Sequence, residues 1–266
     1  MATRLELELK YRVRERAGAE RLLTAEALAG LPAASPVRSA EMEDRYIDTT
    51  DGALARAGYA ARIRREPGVT IVSVKALRRL GGDGAVAGGI GDGVSALHSR
   101  EELEGPADRG APPSDWPPSA ARALILELCG DAPLVEVVTI RQLRRRRAFA
   151  GEDAEVELSL DDVDVVSRGE LVDRFTELEV ELRSGDPAWL GRIAEVLERE
   201  EGLEAATTSK YEAALLALGR PVWEVVGTRH AAREIARGAP AEPEARSSSS
   251  APAAPGATAA PGATAA

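Results

Sequence analysis

Residues 4–14 read RLELELKYRVR, and their strict alternation limits the possible folds more than any other stretch. Leu5, Leu7, Leu9, Tyr11 and Val13 fall on one side; Glu6, Glu8, Lys10 and Arg12 fall on the other. A period of two marks a β-strand with one face against an apolar layer. The opposite face then carries two carboxylates and two cations in a row, about 6–7 Å from one to the next. On one strand alone, solvent explains such a face equally well. Later strands repeat the device, and the repetition asks for a common cause.

Extended segments are expected at 4–14, 37–48, 59–66, 69–76, 99–104, 134–149, 154–166 and 174–183. In YAARIRRE, Arg62 and Arg64 share a face, with Ala61 and Ile63 on the other. Pro67-Gly68 turns the chain into VTIVSVKA, where Lys75 lies on the face of Ser73 and Ile71. SREELEG places Arg100, Glu102 and Glu104 together. AEVELSLDDVDVV sets Glu155, Glu157, Ser159 and Asp161 against Val156, Leu158 and Leu160, and RFTELEVELRSG sets Glu177, Glu179, Glu181 and Arg183 against Leu178, Val180 and Leu182. The run from Arg144 to Arg147 points alternately to both faces: Arg144 and Arg146 share one side, Arg145 and Arg147 the other. Periodicity alone does not say which pair faces inward.

Helices are expected at 15–31, 119–130, 187–201 and 208–218, with a short helical turn at 51–58 closed by Gly58. Asp186 and Pro187 open the fourth of these segments as a cap pair. The Gly-rich stretch 78–97 reads as a flexible loop. It lacks the Gly-Lys-Ser/Thr ending of a phosphate-binding loop, and no apolar strand feeds it. From about 219 the chain changes character: 221–237 reads at most as a marginal helix, and from 239 the chain is Ala, Pro, Ser, Gly and Glu with the near-repeat APGATAAPGATAA. Such a composition buries no core, so 219–266 is expected to be a disordered tail behind a domain at 1–218.

Aromatics make up only 3% of the 266 residues, so the core must be Leu, Val, Ile and Ala. A net charge of −10 argues against bulk nucleic-acid binding, though not against a local basic site. Cys129, the lone cysteine, fits a reducing, cytoplasmic setting and reads as a buried spectator thiol. No apolar run is long enough to span a bilayer, and the N-terminus lacks a signal-peptide pattern. Two histidines, His98 and His230, make a His-rich zinc site a poor fit. A metal would be held by carboxylates, which favours Mg²⁺ or Mn²⁺.

About eight strands joined mostly by hairpin-length turns favour an antiparallel sheet. An open sheet with one solvated face satisfies the pattern. A closed barrel with helices over its apolar outside and a charged bore satisfies it too. A bore lined with both signs of charge calls for a ligand with both, such as a polyphosphate with a divalent cation.

The ordered motifs resemble the CYTH domain, the triphosphate tunnel metalloenzyme superfamily. They are Glu6-Leu7-Glu8-Leu9-Lys10, YIDTTDGALARAGYAARIR at 46–64, IVSVKA with Lys75, SREELE, LSLDD with Asp161, ELEVEL with Glu177 and Glu179, and TSKYEAAL with Lys210. The resemblance spans about residues 3–218. It implies an α+β fold: an eight-stranded antiparallel β-barrel, the triphosphate tunnel, with helices packed outside. It also implies a metal-dependent triphosphatase. Carried over by motif, Glu6, Glu8, Glu177 and Glu179 hold Mg²⁺ or Mn²⁺, with Asp161 nearby and Glu102 or Glu104 helping. Lys10, Arg12, Arg62, Arg64, Lys75 and Lys210 hold the triphosphate, and Arg144 and Arg146 match the basic strand. Lys10 or Lys210 is the candidate catalytic proton donor. Inorganic triphosphate is the first substrate, because no base-binding pocket of aromatics is visible. Thiamine or nucleoside triphosphates are alternatives, as are a class IV-type adenylate cyclase and a non-catalytic polyphosphate-binding module. The sequence leaves the oligomeric state open.

Overall fold

The computed structural model describes residues 4–66, 68–77 and 96–220. Pro67, most of the expected Gly-rich loop (78–95) and the low-complexity tail from 221 lie outside the described residues. In chain order the elements are β1 (Arg4–Val13), α1 (Arg16–Thr24), β2 (Ala27–Leu28), β3 (Leu31–Pro32), β4 (Arg38–Thr49), α2 (Ala53–Ala57), β5 (Tyr59–Glu66), β6 (Val69–Ala76) and β7 (Leu97–Pro106). They continue as α3 (Ala120–Cys129), β8 (Leu134–Ala150), β9 (Ala154–Ser167), β10 (Glu170–Gly185), α4 (Ala188–Leu197), β11 (Leu203–Ala205) and α5 (Lys210–Ala217).

Eight strands pair antiparallel in the order β10-β9-β8-β4-β5-β6-β7-β1, and β1 pairs with β10 to close the ring. The register Lys10↔Glu179 and Arg12↔Glu177 seats the first motif directly beside the ELEVEL strand. Closure leaves no unpaired edge, and the two periods of each strand become an outside and a bore. The short β11 continues β7 along β1, pairing Tyr11 with Ala205 where β7 has already ended at Leu9.

Two apolar layers cover the outside. Leu9 and Tyr11 of β1, Val156, Leu158 and Leu160 of β9, and Leu178 and Val180 of β10 bury against Leu22 and Leu23 of α1 and Leu190, Ile193 and Leu197 of α4. Ile47, Ala61, Ile63, Val72 and Val74 bury against Leu54 of α2, Ala121 and Ile125 of α3, and Trp116. Each fully buried aliphatic side chain stabilises by about 1.5–3 kcal/mol, so these layers carry the sheet. Outward cations pin the helices: Arg145 donates to both oxygens of Glu20 on α1 at 2.7 and 2.8 Å.

Three expected helices differ in the structure. The segment 15–31 is helical only to Thr24. Ala25 is extended, and Ala29 (φ 48°) and Gly30 (φ 91°) form a two-residue turn between β2 and β3. Two successive positive φ values are what a tight hairpin turn requires, and this one delivers Leu28 and Leu31 to the core. The helix expected over 187–201 stops at Leu197, because the chain must turn at Gly202 to join β1 as β11. There the Gly202 carbonyl accepts the Arg14 amide at 2.7 Å.

The third correction concerns α5, which does not cover the outside. Toward one end of the barrel the inward face turns apolar: Tyr46, Ala60, Val138, Ile140, Val163 and Val165. Tyr211, Ala214 and Leu215 of α5 bury against these residues, and Tyr211 stacks on Tyr46 at 4.4 Å between centroids. The helix therefore fills that end, with Lys210 leading it into the charged bore.

A capping box starts α5: Ser209 Oγ accepts the Glu212 amide at 3.2 Å, and Glu212 Oε2 accepts the Ser209 amide at 2.7 Å. Ser209→Ala is expected to lower the unfolding free energy by about 1 kcal/mol in urea denaturation, with Ser209→Thr close to wild type.

Candidate active site

The charged face of each strand points into the bore. At its centre stands Glu179. Lys10 Nζ and Lys210 Nζ lie 2.8 and 2.6 Å from Glu179 Oε1, and Arg144 Nη2 lies 2.6 Å from Oε2. Burial raises the Glu179 pKa, but the three cations outweigh it and hold the carboxyl well below its usual range. Lys210 also reaches Asp161 Oδ2 at 2.9 Å and Glu177 Oε1 at 3.1 Å. Arg144 grips Asp161 with two donors at 2.8 and 2.6 Å. Burial disfavours the ammonium of Lys210, yet Asp161, Glu177 and Glu179 together keep its pKa raised.

A second group spans β4 to β7 and β1. Arg64 donates to both oxygens of Asp44 at 2.6 and 2.7 Å, and Arg62 reaches Asp44 at 3.2 Å and Glu102 at 3.5 Å. Lys75 joins Glu6 at 2.5 Å and Glu102 at 3.3 Å. Burial opposes the Glu6 charge, but Lys75 and Lys10 prevail and draw its pKa down to about 2. Glu8 behaves oppositely. Burial raises its pKa, Lys10 at 3.0 Å only partly offsets this, and Glu6 and Glu179 add to the rise, to about 7. Burial also raises Glu177, with Glu179 adding to the effect.

The open question of the arginine run is resolved by these contacts. Arg144 and Arg146 face inward. Arg145 meets α1, and Arg147 donates to the carbonyls of Ser35 and Ala25. Arg146 stands further out than Arg144, 3.7 Å from Glu157. Arg12 stands at the other extreme: its guanidinium stacks over Phe175 at 3.6 Å and lies 3.9 Å from Glu177. Glu104 is exposed and accepts from Ser73 Oγ at 3.0 Å, apart from the central carboxylates. The other expected site residues come together in the bore.

Sequence reasoning missed Asp44, which is buried and binds both Arg62 and Arg64. Its strand reads RSAEMEDRYIDT, with charge on both faces, so alternation does not single it out. The available signal was its place on the face of Tyr46 in the YIDTTDG motif. Glu157, Glu181 and Arg183 also join in the bore, Arg183 reaching both glutamates at 2.7 Å.

Carboxylate oxygens are the hard donors that Mg²⁺ and Mn²⁺ prefer, so the donor chemistry fits such an ion. Glu177 is fully buried, and neither of its oxygens accepts a hydrogen bond. Among the described residues, however, no three acidic, His or Cys side chains stand as a ready metal cage. Ammonium and guanidinium groups occupy the oxygens instead.

Asp44 illustrates how closely these charges depend on one another. Burial raises its pKa, but Arg62 and Arg64 pull it well below the usual value. A depressed acid contributes stability above its unfolded pKa and loses it as pH falls through the folded one. Asp44→Asn leaves two arginines without their buried partner, and is expected to cost about 3–5 kcal/mol at pH 7. Denaturant melts across pH should show this gap hold at neutral pH and narrow only below about pH 4.

Comparison with solved structures finds similar chains at low identity. HpAC1 from Hippeastrum, a candidate adenylyl cyclase with a dominant triphosphatase activity, is 19% identical with a TM-score of 0.55; the match covers 81% of this chain and 96% of that one. A candidate adenylate cyclase from Bacillus halodurans is 16% identical, with a TM-score of 0.48 over 80% of this chain and 98% of that one. The mimivirus capping enzyme triphosphatase is 14% identical, with a TM-score of 0.38 over 73% and 86%. Comparison with curated protein sequences finds no significant match. The family model of the CYTH domain matches residues 4–214. That match takes in every strand of the closed barrel, and the chain belongs to the CYTH domain family.

Proposed function

We propose that this protein hydrolyses a triphosphate inside the bore with Mg²⁺ or Mn²⁺, and that inorganic triphosphate is its substrate. The observation that carries this reading is the buried interleaving of carboxylates and cations around Glu179 in a CYTH barrel. Glu6, Glu8, Glu177, Glu179 and Asp161 would hold the metal, with Glu102 in support; Glu104, apart from them, is the weaker assignment. When bound, the ion neutralises phosphate charge and acidifies an attacking water.

The chain's own cations do the rest. Lys10, Lys75, Lys210, Arg62, Arg64 and Arg144 would grip the phosphate oxygens and hold the phosphates in line. Arg12 and Arg146 would bind toward the two ends of the row. Fixed cations in a bore that excludes bulk water stabilise the charge that builds on the transferred phosphoryl and the leaving group. Lys10 and Lys210 are held strongly protonated by their carboxylate partners. We therefore assign both first to charge stabilisation, and to proton donation only once a phosphate replaces those partners. Enclosure of the bore end by α5 favours a compact substrate, since Tyr46 and Tyr211 already stack on each other.

The test is phosphate release from inorganic triphosphate, ATP and thiamine triphosphate, with Mg²⁺ and with Mn²⁺. Hydrolysis of inorganic triphosphate is expected, falling about 100-fold or more in Glu6→Gln. No release from any of the three would overturn the reading. Cyclic AMP in the ATP mixture would instead assign the bore to a cyclase.

A further inference from the structure

Lysine is used sparingly in this chain. The sequence has three, Lys10, Lys75 and Lys210, and all three face the bore; apart from two histidines, every other basic side chain is arginine. The two are not interchangeable, since lysine offers a compact point charge where arginine offers a broad planar fork. Lys10 and Lys75 belong to barrel strands and each meets two carboxylates. Lys210 comes from α5 and meets three, from Glu179, Asp161 and Glu177, at 2.6, 2.9 and 3.1 Å.

Three carboxylates around one compact cation form the donor set of a hard divalent ion. A second observation points the same way. Glu177 is fully buried, neither of its oxygens accepts a hydrogen bond, and its charge neighbours besides Lys210 include Glu179, Lys10 and, at 3.9 Å, Arg12. A buried carboxylate in that state has ligand capacity left over. As these groups stand, no ready metal cage exists among the described residues, and the ammonium sits among the three carboxylates. A cation that uses these oxygens has to displace the ammonium, which shares Glu179 Oε1 with Lys10 and Asp161 Oδ2 with Arg144.

We infer that Lys210 is the protein's own stand-in for a divalent cation, and that a metal ion entering the bore expels its ammonium from Glu177, Glu179 and Asp161. The inference rests on the proposed reading that the bore binds a divalent metal. Once expelled, the ammonium is free to meet an anionic ligand, so metal binding prepares the phosphate site. Tyr211, Ala214 and Leu215 stay buried and keep α5 seated, so the change is confined to the first residue of the helix.

The experiment is lysine labelling of the full wild-type chain by reductive dimethylation, read by peptide mass spectrometry, with and without Mn²⁺ and with no triphosphate present. Labelling of Lys210 is expected to rise several-fold with Mn²⁺ alone; unchanged labelling overturns the inference. Folded Lys210→Met is expected to bind Mn²⁺ about tenfold tighter than wild type, since no ammonium competes. Equal or weaker binding also overturns it. Unchanged labelling beside active, metal-dependent hydrolysis sinks this inference alone, whereas absent hydrolysis of every triphosphate sinks the reading beneath it.

Discussion

Charges taken out of water must find opposite charges, and the inside of this barrel is arranged around that requirement. In its central part seven carboxylates (Glu6, Glu8, Asp44, Glu102, Asp161, Glu177 and Glu179) meet seven cations (Lys10, Arg12, Arg62, Arg64, Lys75, Arg144 and Lys210), with Arg146, Arg183, Glu157 and Glu181 further along. Several pairs cross between strands far apart in sequence. Lys10 meets Glu179 across the β1–β10 seam, and Lys75 of β6 meets Glu6 of β1. The partners in these long-range pairs are therefore in place only when the ring is closed. The apolar layers outside supply the stability, and the charges inside depend on it.

The balance is not uniform, and its unevenness marks the working part of the bore. Glu179 and Asp161 are over-supplied with cations and stay ionised. Glu8 and Glu177 are under-supplied, and their pKa values rise. All four face one another across adjoining strands, so positive charge added at this point would favour ionisation of the two deprived carboxylates. The β4–β5 corner is different. There Asp44 accepts a forked pair of bonds from Arg64 and a single one from Arg62, an arrangement suited to holding guanidinium groups in place.

Much of this was legible in the chain. The outward faces of β1, β9 and β10 follow directly from the Leu and Val alternation, and the bore glutamates and lysines fall on the opposite period. What alternation could not show is where the bore stops being polar. On β9 the inward positions run Ser159, Asp161, Val163, Val165, changing character without a break in the strand. On β8 the inward positions run Val138, Ile140, Gln142, Arg144, while Val137 beside them blurs the phase. These switches are the imprint of α5, a helix whose own residues read as ordinary outer cover. The arginine register and the role of Asp44 were hidden for the same reason: charge on both faces removes the contrast on which the period-two argument relies.

The near-neutral bore also bears on what can enter it. A bare polyanion would have to pull lysines and arginines from their carboxylates and leave those carboxylates buried without partners, a large electrostatic cost. A polyanion that brings divalent cations presents both signs at once. Its phosphates can take over the ammonium and guanidinium groups while its cations take over the freed carboxylates, so every buried charge keeps a partner throughout. On the proposed reading, metal dependence then follows from electrostatic exchange before any chemistry begins. Glu6, Glu8, Asp161, Glu177 and Glu179, which pair with the bore's cations, are the carboxylates that would receive the metal.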